Sequence, residues 1–142
     1  MPKTEQAFNL AMGQFGQKAI PGASSNPIIL KYFQDAGHPE ILDDDIPWCA
    51  AFLNAMLERA RLPTTGSLAA RSFLQWGQPT TAPVLGDVAV FWRESPGSGL
   101  GHVGFVCAVF KDYVYILGGN QDNQVEIKPF LTSQLLGYRR LT

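Results

Sequence analysis

The pattern of apolar residues changes at Gly77, near the middle of the 142-residue chain. Before this glycine, apolar residues recur at the three- and four-residue spacing of amphipathic helices. After it come short runs rich in Val, Ile, Phe and Tyr, separated by Gly, Pro and Asn, and such runs are typical of β-strands. Helices that precede strands in this way predict an α+β fold, in which N-terminal helices pack on a C-terminal antiparallel sheet.

Local signals predict the individual elements. Thr4 and Asn26 are candidate N-caps, and Pro27 suits a first helical residue because its missing N–H needs no partner there. Helices are predicted at 4–17, 27–36, 49–61 and 68–76. Strands are predicted at 87–92, 102–110 and 113–117, with edge strands at 124–127 and 136–141. The two-residue turn at 111–112 predicts that the strands on either side of it pair as an antiparallel hairpin.

Composition limits the class of protein. Apolar residues make up 46% of the chain and charged residues 16%, so residues 1–142 are expected to fold as one globular domain. A net charge of −1 without a basic block argues against nucleic acid as a partner. No run approaches the ~20 apolar residues of a membrane span, so no membrane insertion is predicted. The N-terminus lacks an apolar signal region, so synthesis and folding in the cytoplasm are expected.

The chain has two cysteines, Cys49 and Cys107, and both are predicted to be free thiols. Cys49 opens a run of strong helix formers, so its sulfur is expected in the first turn of a helix. The partial positive charge of a helix N-terminus favours a thiolate, which makes Cys49 a candidate nucleophile. The alternative is a small core residue, since free cysteine is often buried. No Cys and His residues have zinc spacing, so neither a metal nor a cofactor is predicted.

An imidazole is expected on one of the predicted strands. His102, Gly104 and Val106 share one face of a regular strand, whereas Cys107 points to the other face. The glycines around His102 leave open space, which favours a general base over a packed structural histidine, although the structural role stays open as the alternative. His38 lies between a glycine and a proline and is interpreted as a loop residue.

A third polar group is expected to orient the imidazole. In the antiparallel hairpin, the end of the second strand lies beside the start of the strand that carries His102. Asn120 is therefore predicted to accept the imidazole N–H and hold the ring in one tautomer, as the third member of a catalytic triad does. Gln121 and Asp122 are alternatives for this role. An ordinary turn, in which Asn120 supports a kinked backbone, would also explain the sequence.

Four residues are candidates for contacts with a substrate. Trp48 and Trp92 offer aromatic surfaces, although most tryptophans belong to the core. Asp45, the last of three consecutive aspartates, is a candidate for binding an amine, and the alternatives are a helix cap or a solvated acidic loop. Arg71 is a candidate for holding a carboxylate.

Three short blocks occur in an order that is more specific than any block alone. They are 45–52 (DIPWCAAF), 86–91 (GDVAVF) and 101–106 (GHVGFV), and the ending 118–121 (GGNQ) follows them. This order resembles the NlpC/P60 and CHAP group of papain-like cysteine peptidases and amidases, and in particular its small phage and bacterial members. The resemblance extends over about residues 8–140 and implies a papain-like α+β fold.

The resemblance implies hydrolysis of an amide bond in bacterial peptidoglycan, either within the stem peptide or between sugar and peptide. Cys49 would be the nucleophile, His102 the base and Asn120 the orienting group. The asparagine departs from the acid or second histidine that these families often carry. Such an enzyme is expected to act in the periplasm or cell wall, as a phage lysin or as a delivered antibacterial effector.

The resemblance also implies partners. Peptidoglycan would be the substrate, and an effector would require a cognate immunity protein and a secretion or tail component. Two other functions stay open on the sequence. One is a non-catalytic module of the same fold that binds cell wall or protein, and the other is a cysteine-dependent protein deamidase or transpeptidase.

Overall fold

The structure is a computed structural model that describes residues 2–20 and 25–142. In these ranges three α-helices precede an antiparallel sheet, which confirms the predicted α+β fold. The helices are α1 (Glu5–Met12), α2 (Pro27–Asp35) and α3 (Cys49–Arg59), and two short 3₁₀ helices span Ala70–Gln75 and Thr132–Gln134. Most of the loop predicted between the first two helices, residues 21–24, lies outside the described residues. No helix in the described part of the chain is both long and apolar enough to cross a bilayer.

Six strands in the described ranges form one sheet. They are β1 (Gln78–Thr80), β2 (Val88–Trp92), β3 (Gly101–Val109), β4 (Tyr113–Gln121), β5 (Gln124–Leu131) and β6 (Leu135–Arg140). Their order across the sheet is β1-β6-β2-β3-β4-β5, and every neighbouring pair is antiparallel. The hairpin predicted around residues 111–112 is the β3–β4 pair.

The two faces of the sheet have different neighbours, as the alternation of side chains along a strand requires. One face packs against the helices through Val88, Val90, Val103, Phe105, Leu117 and Val125. The other face carries a smaller apolar cluster of Ala89, Phe91, Val106, Val114, Ile116 and Tyr138. Helix α3 packs on β3 and β4, so its first turn lies close to the strand that carries His102.

Helix starts follow the local signals only in part. The Asn26 side chain accepts a hydrogen bond of 2.9 Å from the Ile28 N–H, and Pro27 is the first residue of α2, as predicted. Thr4 occupies the N-cap position of α1, but its hydroxyl donates to the Gly86 carbonyl instead of capping the helix. This bond attaches the start of α1 to the turn that leads into β2.

Several elements differ from the sequence prediction. The short strand β1 was not predicted, because Gln78 and Pro79 carry no strand signal. Since β1 pairs with β6, the strand expected at an edge lies inside the sheet. The helix expected at 68–76 is the 3₁₀ helix Ala70–Gln75, and α1 ends at Met12 rather than at Gln17. β5 is an edge strand, as expected, but it continues to Leu131.

Asp87 joins the start of β2 to the end of β6. Its fully buried carboxylate accepts hydrogen bonds from the Arg140 guanidinium at 2.7 and 2.8 Å and from the Val84 N–H at 2.8 Å. A buried charge needs such partners to offset its lost hydration. The aspartate of the 86–91 block therefore has a structural role.

An aromatic cluster positions the start of α3 against β4. Trp48 immediately precedes α3, is fully buried, and stacks on Tyr32 with ring centroids 5.9 Å apart. Gly119 of β4 lies directly against the same indole, and a β-carbon at this position would come within 2.7 Å of both the ring and Phe52. The missing side chain of Gly119 therefore allows β4 to approach the start of α3.

Candidate active site

Cys49 is the first residue of α3 and is only 6% exposed. The first hydrogen bond of the helix runs from the Phe52 N–H to the Trp48 carbonyl at 2.9 Å. The N–H groups of Cys49, Ala50 and Ala51 therefore have no partner within the helix, as in any first helical turn. The sulfur lies among backbone donors that can also bind an oxyanion.

Burial raises the pKa of the Cys49 thiol above its usual value. The N–H groups of Val103, Ala50 and Cys49 and the charge of Arg93 act in the opposite direction, but they offset burial only in part. The shift is opposite to the one expected from the helix N-terminus, because the loss of water around the sulfur outweighs the backbone donors. This shift favours the protonated thiol at rest, so a nucleophilic attack by this sulfur would require a base to remove its proton.

His102 lies near the start of β3 and is held at two sides of its ring. The imidazole stacks on Phe130 of β5, with ring centroids 4.6 Å apart and an interplanar angle of 12°. Its Nε2 lies 2.8 Å from Oε1 of Gln121, which is almost fully buried. Stacking and this hydrogen bond together determine where the other nitrogen points.

Gln121 determines the tautomer of His102. The amide Nε2 of Gln121 donates to the Ile116 carbonyl at 3.1 Å and to the Glu126 carbonyl at 2.8 Å. Because both amide hydrogens are used, Oε1 must face the ring and accept from the imidazole Nε2–H. The neutral ring then has its lone pair on Nδ1, which has no hydrogen-bond partner among residues 2–20 and 25–142. This nitrogen is available to take a proton.

Burial lowers the pKa of His102 to about 4. The hydrogen bond to Gln121 acts to raise this pKa, whereas the charges of Arg93 and Lys128 lower it further. The imidazole is therefore neutral near pH 7, the state that a general base needs.

A cavity of about 210 Å³ has both Cys49 and His102 in its wall. The backbone also links them, because the Val103 N–H that faces the sulfur belongs to the residue after His102. Other side chains of the wall come from β2, from the end of β4 and from β5. A protonated thiol, a neutral imidazole and the backbone N–H groups at the start of α3 thus surround one small space.

A family model for the CHAP domain matches residues 42–120, which is more than half of the chain. The chain belongs to the CHAP domain family. The match confirms the family resemblance, includes Cys49 and His102, and ends one residue before Gln121. Membership indicates a function of the peptidoglycan hydrolase or amidase type in general. No curated protein matches the chain.

In this CHAP domain the imidazole contacts Gln121, in the place that the sequence argument gave to Asn120. The regular register of β3 and β4, continued to the ends of both strands, would put Asn120 opposite His102. However, β4 is irregular between Gly118 and Gln121, and Asn120 has a left-handed φ of 58°. A bulge of this kind moves the following residue onto the face that the regular strand would have given to its neighbour. Asn120 lines the cavity without a hydrogen bond to the ring, and its predicted catalytic role stays a prediction.

Trp48 does not reach the cavity of the CHAP domain. Its indole is fully buried, and its Nε1 is enclosed without a hydrogen-bond partner in the described part of the chain. The residue occupies the N-cap position of α3, from which its ring points into the core beneath the helix. The assignment of Trp48 to substrate binding is therefore corrected to a core role.

Arg71 holds a loop rather than presenting a free guanidinium. Its Nε and Nη2 donate to the Leu100 carbonyl at 2.9 and 2.8 Å, and its Nη1 donates to the Pro96 carbonyl at 2.9 Å. A guanidinium with these partners has few donors left for a carboxylate. The expected contact with a substrate is therefore replaced by a clamp between the 3₁₀ helix and the loop before β3.

Trp92 and Asp45 differ in their relation to the cavity. Trp92, the last residue of β2, lines it and is partly exposed, and its contact with a substrate stays a prediction. Asp45 is exposed and does not line it, and its N–H donates to Asp43 Oδ1 at 2.8 Å. The local contact fits the alternative interpretation of an acidic loop.

One group of oxygen donors in the described ranges has the spacing of a cation site. The carboxylates of Asp43, Asp44 and Asp45 have oxygens within 4.8 Å of one another. Asp44 is buried, and its Oδ2 accepts hydrogen bonds from the Ile20 and Asn26 N–H groups at 3.0 and 2.8 Å. These contacts give the buried aspartate a structural role, and the expectation that no metal is needed stays a prediction.

Two cationic residues at the cavity were not predicted. Arg93 is exposed, and its side chain makes no hydrogen bond or ion pair with any residue that the structure describes. Lys128 of β5 pairs with Asp122 at 2.9 Å. The predicted edge strand stopped at 127, so nothing placed Lys128 at the site. Phe91 pairs with His102, and Arg93 lies two residues after Phe91, so regular alternation would have put Arg93 on the same face as His102.

Proposed function

We propose that this CHAP domain is a cysteine hydrolase that cleaves an amide bond in bacterial peptidoglycan. Cys49 is the nucleophile, His102 is the general base and acid, and Gln121 is the positioning residue of the imidazole. The observation that supports this function best is the hydrogen bond from His102 to Gln121, which leaves Nδ1 as an acceptor in the cavity that Cys49 also lines.

The reaction begins with two neutral groups. His102 Nδ1 takes the thiol proton as the sulfur forms a bond to the carbonyl carbon. The carbonyl oxygen becomes an oxyanion, and the N–H groups of Cys49 and Ala50, which have no partner within α3, are the donors available to it. The imidazolium formed in this step is stabilised by its hydrogen bond to Gln121 Oε1.

The intermediate then collapses in two stages. The imidazolium returns its proton to the leaving nitrogen, the carbon–nitrogen bond breaks, and a thioester on Cys49 remains. A water molecule loses a proton to the neutral His102 and attacks the thioester carbon. The acid product leaves, and the proton returns from His102 to the sulfur.

Digestion of purified sacculi tests this function. The wild-type protein is expected to release fragments whose masses identify a single type of cleaved amide bond, whereas Cys49→Ala releases none. Cys107→Ala serves as the matched control, because it removes the other thiol of the chain. Equal release by the wild type and Cys49→Ala, or no release by either, would exclude the proposed chemistry.

For the biological role we propose action in the periplasm or cell wall, as a phage lysin or a delivered antibacterial effector. The gene neighbourhood separates the two roles. A holin gene beside the coding sequence supports a lysin, and a gene for a small secreted inhibitor supports an effector with an immunity protein.

Two alternatives predict different outcomes in the same assay. A binding module of the same fold would retain sacculi in a pull-down without releasing fragments. A protein deamidase or transpeptidase would leave sacculi intact and modify glutamine side chains of a protein substrate through the same Cys49 thioester.

A further inference from the structure

We propose that the groove of this protein binds an alanyl amide whose leaving amine carries a free carboxylate, and that Arg93 binds this carboxylate. This inference rests on the proposed function and specifies its substrate. In peptidoglycan, the description fits an alanine joined to the amine of glutamate or of a diamino acid with a free α-carboxylate. It excludes a γ-glutamyl bond, which has its carboxylate on the acyl half.

Two cavities meet at the thiol. The first, of about 210 Å³, contains His102, and the second, of about 240 Å³, lies on another side of Cys49. They share the residues Pro47, Cys49, Arg93 and Gly101. A substrate whose carbonyl carbon reaches the sulfur therefore has room for one half in each cavity.

The position of His102 orients the substrate. The imidazole must return its proton to the leaving nitrogen, so the amine half lies on the side of His102. The acyl half, which becomes the thioester, must then occupy the second cavity. We call this second cavity the acyl cavity, and the first, which contains His102, the amine cavity. This orientation follows from the general acid alone and does not depend on the identity of the substrate.

The acyl cavity is apolar apart from Arg93, which also lines the amine cavity. Apart from the four shared residues, its wall consists of Ile46, Leu68, Ala69, Ala70, Gly99 and Leu100. Ile46 and Leu100 are 38% and 40% exposed, so they form an open apolar rim. A methyl group gains from this contact, whereas a carboxylate would lose water there and would have to compete with the amine half for Arg93, the one cation in both walls. The acyl half is therefore expected to be alanyl rather than glutamyl.

The amine cavity has one cation whose charge is not matched locally. Lys128 lies in its wall but is paired with Asp122 at 2.9 Å. Arg93 also lies in its wall, and its guanidinium has no ionic or hydrogen-bond partner among the described residues. A free guanidinium binds a carboxylate in a bidentate manner, so the amine half is expected to carry that group.

Two synthetic peptides test the carboxylate. Both contain an alanyl amide of the same amino acid, with a free α-carboxylate in one and a carboxamide in the other. The wild type is expected to cleave the acid with a kcat/KM about tenfold higher than the amide, as a charge-assisted hydrogen bond provides. Arg93→Gln is expected to abolish this preference by slowing only the acid. Lys111→Gln, which removes a charge in the exposed turn between β3 and β4, should keep it.

Each contrary result has its own meaning. Equal rates for the two peptides with the wild type, or an equal loss on both with Arg93→Gln, would overturn the carboxylate role; the second result would assign Arg93 to the oxyanion. In sacculi, new termini at a γ-glutamyl bond or at the sugar–peptide bond would overturn the inference while leaving the hydrolase function intact. No cleavage of peptides or sacculi by the wild type would instead refute the proposed function itself.

Discussion

The two histidines of this chain have opposite electrostatic surroundings. The His38 side chain is 24% exposed, and its two ring nitrogens face two acceptors, the Gly66 carbonyl at 2.9 Å and the Glu40 carboxylate at 3.1 Å. The bond with the Gly66 carbonyl contributes most, and together the two bonds raise the pKa of His38. His102 is partly buried beside Phe130 and has a single acceptor, and burial lowers its pKa to about 4. An imidazole between two acceptors holds a proton, whereas one with a single acceptor keeps a lone pair for chemistry.

The two cysteines differ in another way. Burial raises the pKa of both thiols, to about 11 for Cys107. Cys107 lies on the inner face of β3, half-exposed and packed against the helical core. Acidity therefore does not distinguish Cys49, the proposed nucleophile, from Cys107. The difference is that Cys49 shares a cavity with His102.

Substitution of each cysteine by alanine is expected to give the largest difference in kcat between two variants. Cys49→Ala should lower kcat by about 10⁵-fold, to the background of the assay, because no other nucleophile lies in the cavity. Cys107→Ala should keep kcat near the wild-type value and lower the free energy of unfolding by about 1 kcal/mol. Fragment release followed by mass spectrometry and thermal unfolding measure the two effects. A comparable loss of kcat in both variants would remove the distinction between the thiols.

Substitution of each histidine by alanine is expected to give the second-largest difference in kcat. His102→Ala should lower kcat about 10³-fold, since the thiol then has no base. His38→Ala, the matched variant in the loop after α2, should leave kcat unchanged. Steady-state rates on the same substrate are sufficient for the comparison. A strong effect of His38→Ala would mean that its loop contributes to the groove.

The positioning residue gives a smaller effect with a distinctive pH dependence. Gln121→Glu keeps an acceptor oxygen beside His102 but adds a negative charge, so the imidazole pKa should rise by about one unit or more. The acidic limb of kcat/KM should therefore move to higher pH, with kcat roughly tenfold lower because two carbonyls lose their donor. Asn120→Ala should leave the limb in place. An unmoved limb with Gln121→Glu would assign the orienting role to another group.

The pH dependence of the unmodified protein follows from the same shifts. The kcat/KM should stay level near neutral pH and fall only near pH 4, where His102 takes up a proton. Between the ordinary histidine pKa of about 6.5 and pH 4, the unfolded chain binds a proton at this residue and the folded protein does not. Acidification through this window should therefore lower the free energy of unfolding. NMR titration should give an inflection near 4 for His102 and one above the ordinary value for His38; the reverse order would refute the contrast.

Alkylation of the resting protein compares the two thiols directly, and it is expected to give the smallest difference between them. Because burial raises the pKa of both thiols, iodoacetamide should react slowly with each at neutral pH. The rate for Cys49 should increase with pH up to and beyond 9, without a plateau. A plateau at acidic pH would indicate a stable thiolate–imidazolium pair in the resting state.

The elements of the fold could be predicted where a local pattern carries the signal. The start of α2 at Asn26 and Pro27 and the hairpin of β3 and β4 are examples. β1 could not be predicted, because its three residues become a strand only through their pairing with β6. The internal position of β6 depends on the same long-range pairing.

The candidate site shows the same limit at single residues. Cys49 and His102 line one cavity. The predicted helix start and the alternation of residues along the predicted strand were enough to identify both as candidates. For the orienting group, the sequence favoured Asn120 and kept Gln121 only as an alternative, because a bulge that shifts the strand face by one residue leaves little signal in the sequence. The direction of the thiol pKa shift depends on burial, which is a property of the packed molecule rather than of its neighbours in sequence.

The contact between Gly119 and Trp48 has a consequence for the variation that this scaffold tolerates. Any larger residue at 119 would have to displace the indole ring or Phe52, and the start of α3 would move with them. In a randomised library, an alanine at 119 should survive selection only together with a smaller side chain at 48 and a small displacement of Phe52, whose β-carbon lies 2.7 Å from the added methyl group. The two positions, 71 residues apart in sequence, should therefore mutate as a linked pair.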